Sequence, residues 1–211
     1  MSPLYRFLRP IVLFLTWPFL RFKVYGKENM PKGQCVVVGN HFAILDVVHL
    51  ARQTKEQLHF IAKKEIYKSK FLAWLCNKLG AFPVDRDGAD ATAVLKGLKI
   101  LKAGKKLAIF PEGTRNKVND EVQEIKGGTG VFALKTKSKI VPCIQLKKAR
   151  LFRTNYMIIG QPFELSEFYG QKLSEDVVEK MGAVIRNRMM ELHHELKEIV
   201  ANRKNKNKKD C

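Results

Sequence analysis

A histidine and an aspartate five positions apart are the residues of this sequence whose types and spacing best fit acid–base chemistry. They lie in GNHFAILDVV, residues 39–48, where His41 directly follows an apolar run and Asp46 comes shortly after. A carboxylate beside an imidazole fixes the tautomer and stabilises the imidazolium, which leaves the second ring nitrogen free to accept a proton. His41 is therefore a candidate catalytic base, with Asp46 as its orienting partner.

Regular secondary structure would keep these two side chains apart. Residues five apart differ by about 140° around a helix axis, and they lie roughly 16 Å apart in a strand. A turn at Asn40 and His41, followed by a helix that begins near Ala43, would let Asp46 reach back to the imidazole. On this motif alone a second interpretation stays open, in which Asp46 favours a helix start and His41 is a satisfied polar residue at the junction.

A second group of polar residues lies in PEGTR, residues 111–115, directly after the apolar run KLAIF. Arg115 has the N–H geometry to bind a phosphate through two hydrogen bonds, and loop amides would share the phosphate charge. Gly113 permits a close backbone approach, while Glu112 and Thr114 add a carboxylate and a hydroxyl. In isolation, a tight turn with a surface ion pair explains these residues equally well.

Two more cations stand beside predicted loops, Arg86 in PVDRD and Lys126 in IKGGTG. Each alone is typical of a solvated charge, whereas together with Arg115 they would form a phosphate pocket. The sequence contains no Gly-x-Ser-x-Gly elbow, no cysteine in these loops and no carboxylate-rich cluster, which disfavours covalent or metal catalysis. We therefore expect no metal and no cofactor, and a histidine base that activates a phosphorylated alcohol.

The elements that must position these residues follow from alternating sequence patterns in the middle of the chain. Short apolar runs such as CVVVGN, LHFIAKK and KLAIF alternate with helical segments such as FLAWLCNKLG and ATAVLKGLKILKAG. This alternation predicts a single α/β domain with a mainly parallel central sheet flanked by helices. Ligands of such sheets bind at the carboxyl ends of the strands, where NHFAILD, DRD and PEGTR would converge.

We expect the catalytic domain to span residues 24–200, preceded by an N-terminal segment of residues 1–23. The apolar stretch between Arg9 and Arg21 is too short to cross a bilayer, so it is predicted to form a membrane-interfacial helix with its arginines and Lys23 on lipid phosphates. An ordinary core helix and a signal peptide are the two alternatives. 

At the other end of the chain, apolar residues recur at helical intervals after Ser174, which predicts one long amphipathic helix. The final residues, 201–211, form a basic tail for which we expect no regular structure and an attraction to anionic lipid.

The charge balance predicts an anionic partner, since 39 Lys and Arg stand against 20 Asp and Glu, a formal net charge of +19. Nucleic acid, an anionic membrane surface and phosphorylated substrates all fit this charge. The basic residues lack the interleaved aromatic residues or the recognised motifs of nucleic-acid binding modules, so we expect no nucleic acid. The four scattered cysteines indicate reduced thiols in a cytoplasmic setting.

Four ordered segments resemble the motifs of the glycerolipid acyltransferases, in particular the 1-acylglycerol-3-phosphate acyltransferases. These segments are NHFAILD, GAFPVDRD, FPEGTRN and IVPCIQL, and IKGGTGVFAL and IGQPF also resemble that family. The resemblance covers roughly residues 24–165, and four ordered matches are far more specific than one. Ala43 is one departure, because many members carry serine there.

The resemblance implies transfer of a fatty acyl group from acyl-CoA or an acyl carrier protein thioester to the sn-2 hydroxyl of lysophosphatidate, which yields phosphatidate. It implies that His41 is the base and Asp46 orients it. The glycerol phosphate would be placed by residues of the other loops, namely Arg86, Glu112, Gly113, Thr114, Arg115 and Lys126, although Glu112 has the alternative of orienting Arg115.

We expect such a protein at the cytoplasmic face of the cell membrane, because its acceptor and product reside in the bilayer. The alternatives are another lysophospholipid or glycerol 3-phosphate as acceptor, or a non-catalytic basic protein that binds lipid or nucleic acid.

Overall fold

The computed structural model describes residues 1–85, 90–118, 120–125 and 128–209, without the side chains at 204 and 206–209. Within these ranges the strands are β1 Arg21–Tyr25, β2 Cys35–Gly39, β3 Leu58–Lys63, β4 Phe82–Val84, β5 Lys106–Ile109, β6 Ile140–Gln145 and β7 Thr154–Ile159. The helices are α1 Pro3–Thr16, α2 Asp46–Ala51, α3 Lys70–Lys78, α4 Ala91–Lys102, α5 Gly128–Thr136 and α6 Glu175–Lys209. Short 3-10 helices span Lys27–Asn29, Lys64–Lys68 and Ser166–Phe168.

In the described part of the chain, seven strands form one sheet in the order β1-β7-β6-β2-β5-β3-β4. Neighbouring strands are parallel except β6 and β7, which are antiparallel. The predicted α/β domain with a mainly parallel sheet is thus confirmed. β1 and β7 are antiparallel to the other strands, so their first residues lie at the sheet edge where β2, β5 and β6 end. We call this edge the carboxyl edge.

The central strand β2 explains how both faces of the sheet are covered. Its five residues, CVVVG, are all buried, as expected of a parallel strand packed on both sides. Because side chains alternate, Val36 and Val38 pack with α4, α5 and α6, while Cys35 and Val37 pack with Leu50 of α2. Burying each such valine contributes about 1.5 to 3 kcal/mol to the free energy of folding. The stable centre of the sheet therefore fixes the positions of the loops at its edge.

The N-terminal segment differs from the prediction in two ways. β1 begins at Arg21 and pairs with β7, so residues 21–23 belong to the sheet and not to the interfacial segment. Arg9 was expected on lipid phosphates, but its guanidinium donates to the backbone oxygen of Thr54 at 2.8 Å. The same guanidinium lies 3.5 Å from the backbone oxygen of Ala51, the last residue of α2, so these carbonyl groups turn Arg9 toward the protein.

The C-terminal helix confirms the predicted amphipathic pattern and extends further than expected. One face of α6 is buried from Val177 to Val200, with Val177, Met181, Ile185, Met189, Leu192, Leu196 and Val200 in the core. The expectation of no regular structure after residue 200 is wrong as far as Lys209, because α6 continues to that residue. Extending a formed helix is far easier than nucleating one, and lysine and arginine are good helix formers. 

No helix within the described residues is both long enough and apolar enough to cross a membrane.

Candidate active site

A buried asparagine, Asn40, directly follows β2. Its side chain continues the hydrogen bonding to β6 by one residue. Asn40 Nδ2 donates to the backbone oxygen of Gln145 at 2.8 Å, and Asn40 Oδ1 accepts from the backbone nitrogen of Gln145 at 2.9 Å. The last paired residues of these strands are Gly39 and Cys143, so the side chain of Asn40 takes over where backbone pairing stops. This exchange fixes the position of the next residue, His41, at the carboxyl edge.

Asp46 builds the turn that brings His41 to it. One carboxylate oxygen, Oδ2, accepts from the backbone nitrogens of Phe42 and Ala43 at 2.6 and 2.7 Å and lies 3.0 Å from His41 Nδ1. The predicted contact between His41 and Asp46 is confirmed. The helix begins at Asp46 and not near Ala43, because the residues before it wrap around the buried carboxylate.

The surroundings of Asp46 keep it ionised at neutral pH. Burial by itself raises its pKa, but the hydrogen bond from His41, the nearby ring N–H of His49 and the hydrogen bond from the backbone of Ala43 outweigh that effect and hold the pKa well below its usual range. An ionised carboxylate only accepts, so the proton between the two groups belongs on His41 Nδ1. Nε2 of His41 makes no hydrogen bond to the described residues, and its side chain is 17% exposed, so this nitrogen is available as a base.

The loop after β5 holds His41 from the other side. Phe110 stacks on the imidazole with ring centroids 4.1 Å apart and an interplanar angle of 16°. The backbone nitrogen of Asn116 donates to the backbone oxygen of His41 at 2.6 Å. The first and third motifs therefore meet at the carboxyl edge, as the predicted parallel sheet requires.

His49 is a buried residue of this site that the sequence reasoning missed. Its Nδ1 lies 3.0 Å from Gln145 Oε1 and 3.6 Å from Asp46 Oδ1, and its ring packs on Phe22 at a centroid distance of 4.3 Å. Because both neighbouring oxygens accept, Nδ1 carries the proton. The spacing was a usable signal, since His49 follows Asp46 by three residues and so shares its helix face.

Glu112 lies beneath the backbone of His41. Its Oε1 accepts from the backbone nitrogen of His41 at 3.4 Å, and its Oε2 is buried without a hydrogen-bond partner among the described residues. Burial raises the pKa of Glu112 to about 7; the His41 N–H lowers it and the nearby carboxylate of Asp46 raises it further. Glu112 thus contacts the backbone of His41 and does not pair with Arg115.

The PEGTR loop becomes progressively more exposed after the buried Glu112. Gly113 has a φ of 69°, a left-handed conformation that favours glycine, and it turns the chain outward. Thr114 and Arg115 follow as exposed residues directly before Asn116, which bonds the backbone of His41. The other two predicted phosphate-binding cations, Arg86 and Lys126, lie outside the described residues.

In the part of the chain that the structure describes, no group of three or more histidine, cysteine, aspartate or glutamate side chains is placed to hold a metal ion.

A sequence model of the family described as "Acyltransferase" matches residues 21–145. The chain belongs to this acyltransferase family. The matched segment contains His41 and His49, the two histidines that contact Asp46. It also contains the PEGTR loop, and it ends at Gln145.

Two relatives of this acyltransferase have names that agree with the family. The chain is 31% identical over 184 residues to the 1-acyl-sn-glycerol-3-phosphate acyltransferase of Bacillus subtilis (strain 168). The aligned region covers 84% of this chain and 90% of the relative. It is 28% identical to the 1-acyl-sn-glycerol-3-phosphate acyltransferase of Streptococcus pneumoniae over 92% of this chain and 75% of the relative.

A solved structure shares the fold of this acyltransferase. The crystal structure of the 1-acyl-sn-glycerophosphate acyltransferase of Thermotoga maritima superposes with a TM-score of 0.63, covering 89% of this chain and 80% of that one at 23% identity.

Proposed function

We propose that this acyltransferase moves a fatty acyl group from an acyl thioester, acyl-CoA or acyl carrier protein, to the sn-2 hydroxyl of 1-acylglycerol 3-phosphate. The product is phosphatidate, a precursor for phospholipid synthesis. The names of the relatives support this acceptor. The observation that carries the chemistry is the contact of 3.0 Å between His41 Nδ1 and Asp46 Oδ2, which leaves Nε2 of the imidazole free.

The reaction needs one base and no covalent enzyme intermediate. His41 Nε2 takes the proton of the sn-2 hydroxyl as its oxygen attacks the thioester carbonyl. The new C–O bond forms, the C–S bond breaks, and the imidazolium returns the proton to the departing thiolate. Asp46 stabilises the imidazolium during this sequence and does not itself take the proton. Backbone N–H groups of the loops support the oxyanion of the tetrahedral intermediate.

The phosphate of the acceptor binds on the PEGTR loop in this proposal. Thr114 and Arg115 are exposed directly before Asn116, whose backbone bonds that of His41, and the φ of 69° at Gly113 shapes the turn that presents them. A guanidinium binds phosphate through two parallel hydrogen bonds, which orients as well as attracts it. We include Arg86 and Lys126 in this pocket on the strength of the family motifs.

The outward face of α1 supports a bilayer as the site of action. Phe7, Ile11, Phe14 and Leu15 are all exposed and lie at the spacing of one helix face, whereas Tyr5 is buried against the protein. A helix that turns its apolar side away from its own domain is suited to the membrane interface. We propose that this face contacts the cytoplasmic side of the cell membrane, where acceptor and product reside.

The decisive experiment is phosphatidate formation by the purified chain in phospholipid vesicles that contain lysophosphatidate, with acyl-CoA or acyl carrier protein thioester supplied separately. We expect product with one or both donors and none from His41→Ala or Asp46→Asn, with circular dichroism unchanged. Undiminished turnover in either variant would contradict the dyad. No product with either donor from folded wild type would shift the assay to other lysophospholipids and to glycerol 3-phosphate.

Point substitutions test the α1 contact better than a deletion does. Leu20 is buried and β1 begins at Arg21, so removing residues 1–22 would damage the sheet. Phe7→Gln combined with Phe14→Gln leaves the buried side of α1 intact. We expect this variant to float with vesicles less than wild type does, and equal flotation would count against the contact.

A further inference from the structure

The connection between β6 and β7 forms a tip that, apart from its first residue, lies outside the family motifs, and the proposed reaction does not use it. The hairpin tip comprises residues 146–153, LKKARLFR, with four cations and no acidic residue. Its two large apolar residues near the turn are exposed, Leu151 at 56% and Phe152 at 70%. Large apolar side chains exposed between cations are unfavourable in water. Such a patch indicates an interaction surface.

The hairpin tip is built rigidly. Buried Asn155 accepts from the backbone nitrogen of Arg150 at 2.8 Å and donates to the backbone oxygens of Arg150 and Arg153 at 3.0 and 3.1 Å. It also donates to the backbone oxygen of Arg21 at 3.3 Å, which ties the tip to the start of β1. These four hydrogen bonds hold an exposed segment in one conformation.

Phe152 is held outward in a backbone conformation that phenylalanine rarely adopts. Its φ is 59°, in the left-handed region, and its backbone nitrogen donates to the oxygen of Phe19 at 2.8 Å. The rings of Phe19 and Phe152 pack edge to face with centroids 5.4 Å apart, and both remain exposed. Strain that core packing does not explain is the kind found where a residue serves binding.

The topology places the hairpin tip at the same edge of the sheet as His41. β6 ends at Gln145, β7 begins at Thr154, and Arg21 pairs with Thr154, so the tip and the start of β1 both lie at the carboxyl edge. A surface that binds the hairpin tip therefore also lies near His41.

A cleft next to the hairpin tip has the chemistry of an anion site. It has a volume of about 300 Å³ and is lined by Trp17, Pro18, Leu20, Arg21, Phe22 and Arg52. The lining contains two guanidiniums and no carboxylate, and the Arg52 guanidinium is steadied by a hydrogen bond of 3.3 Å to the backbone oxygen of Leu20. Trp17 is exposed at its rim, which is the preferred position of tryptophan at a membrane interface.

We infer that the hairpin tip is a second membrane contact, in which Leu151 and Phe152 enter the headgroup region of an anionic bilayer. The four cations of the tip, with Arg21 and Arg52 in the cleft, bind lipid phosphates. Apolar side chains framed by cations match such a surface in both hydrophobicity and charge. Together with α1, this contact holds the carboxyl edge against the bilayer, so that a lysophospholipid reaches His41 without leaving the interface. The inference rests on the proposed bilayer-resident acceptor.

Vesicle flotation of the full chain tests the inference. The variant Leu151→Ser/Phe152→Asn removes both apolar side chains, and asparagine tolerates the left-handed conformation at 152. The matched control is Leu95→Gln, which removes a leucine that is 67% exposed on α4. On vesicles of phosphatidylcholine and phosphatidylglycerol, we expect the double variant to partition about tenfold less than wild type, and the control to match wild type.

A charge variant separates the electrostatic part of the contact. Lys147→Gln/Lys148→Gln changes two exposed lysines of the tip, and we expect it to lower partition several-fold on the anionic vesicles while binding to pure phosphatidylcholine stays as in wild type. Thermal unfolding checks that both variants are folded.

Wild-type partition by the folded apolar double variant would overturn the inference and assign the tip to another occupant, such as a partner protein. An equal loss in the Leu95→Gln control would overturn it as well. Flotation needs no turnover, so a failure of the acyl-transfer assay leaves this result interpretable.

Discussion

His49 Nδ1 lies 3.6 Å from Oδ1 of Asp46, the carboxylate oxygen that His41 does not use. Both His49 and Asp46 are fully buried, and Gln145 contacts the same ring nitrogen at 3.0 Å. The backbone of Gln145 also exchanges two hydrogen bonds with the side chain of Asn40, the residue before His41. One network of hydrogen bonds and buried contacts therefore holds both His41 and Asp46, the proposed catalytic pair.

Replacing His49 should slow the chemical step without weakening substrate binding. We expect His49→Phe to lower kcat roughly tenfold to a hundredfold with little change in KM, because a misplaced Asp46 misaligns the base. His49→Gln keeps an N–H that can face Asp46 and should recover part of the loss. Steady-state kinetics checks this split, and a change confined to KM would contradict the positioning role.

Asn40→Ala should reduce both stability and turnover. The substitution leaves the backbone nitrogen and oxygen of Gln145 unpaired in a buried position, at a cost of about 1 to 3 kcal/mol in the free energy of unfolding. The matched control is Asn29→Ala, which removes a 2.8 Å hydrogen bond to the backbone oxygen of Ile159 at the opposite edge of the sheet. We expect the control to lose stability but keep its kcat at a temperature where both variants are folded. Equal kcat values in the two variants would argue against Asn40 as a determinant of the site.

Glu112 should make the folded chain less stable as the pH rises toward neutrality. Its folded-state pKa of about 7 lies above its ordinary value of 4.5, so the folded state keeps a proton that the unfolded state has already released between these values. The stability associated with the protonated carboxyl is complete below the lower value and is lost as the pH rises to the upper one.

Glu112→Gln should remove this dependence. Relative to wild type, the free energy of unfolding of the variant should increase by about 2 to 3 kcal/mol between about pH 4 and about pH 8. Urea unfolding at the two pH values measures the difference. A constant difference would mean that Glu112 titrates near its ordinary value in the folded chain.

Arg115→Ala should raise KM for lysophosphatidate roughly tenfold to a hundredfold, because a charge-assisted contact to phosphate is lost. Arg115→Lys should recover part of this loss, since lysine keeps the charge but not the paired N–H groups. Lys117→Ala is the matched control, as it removes an exposed cation from the same loop. A similar rise in KM for Lys117→Ala would indicate a general effect of charge and not a phosphate contact at Arg115.

The overall architecture was predictable because the signals for it are local. Apolar runs that alternate with amphipathic segments indicate parallel strands with helices on both faces, whatever the details of their packing. The same patterns predicted that NHFAILD and PEGTR meet at one edge, and Asn116 does bond the backbone of His41 there. The pairing of His41 with Asp46 was also within reach, because a turn between two near neighbours involves few residues.

The boundaries of the terminal segments were less predictable. The sequence suggested an interfacial segment up to residue 23, but the pairing of Arg21 with Thr154 draws that stretch into the sheet. Sequence composition favoured an unstructured tail, but the long helix before it continues to Lys209. In both cases a neighbouring element decides the conformation, and local composition does not record that neighbour.

By itself, the sequence determined the α/β class and the meeting of NHFAILD and PEGTR at one edge of the sheet, and it predicted His41 as the base. Only the tertiary structure decided that His49 and Gln145, 96 positions apart, meet at Asp46, and that Glu112 is buried beneath His41. It likewise decided that Phe152 packs on Phe19 at the carboxyl edge. The physical reason is that periodicity and motifs report the nearest neighbours along the chain, whereas burial, pKa and side-chain partners depend on which distant strands the sheet brings side by side.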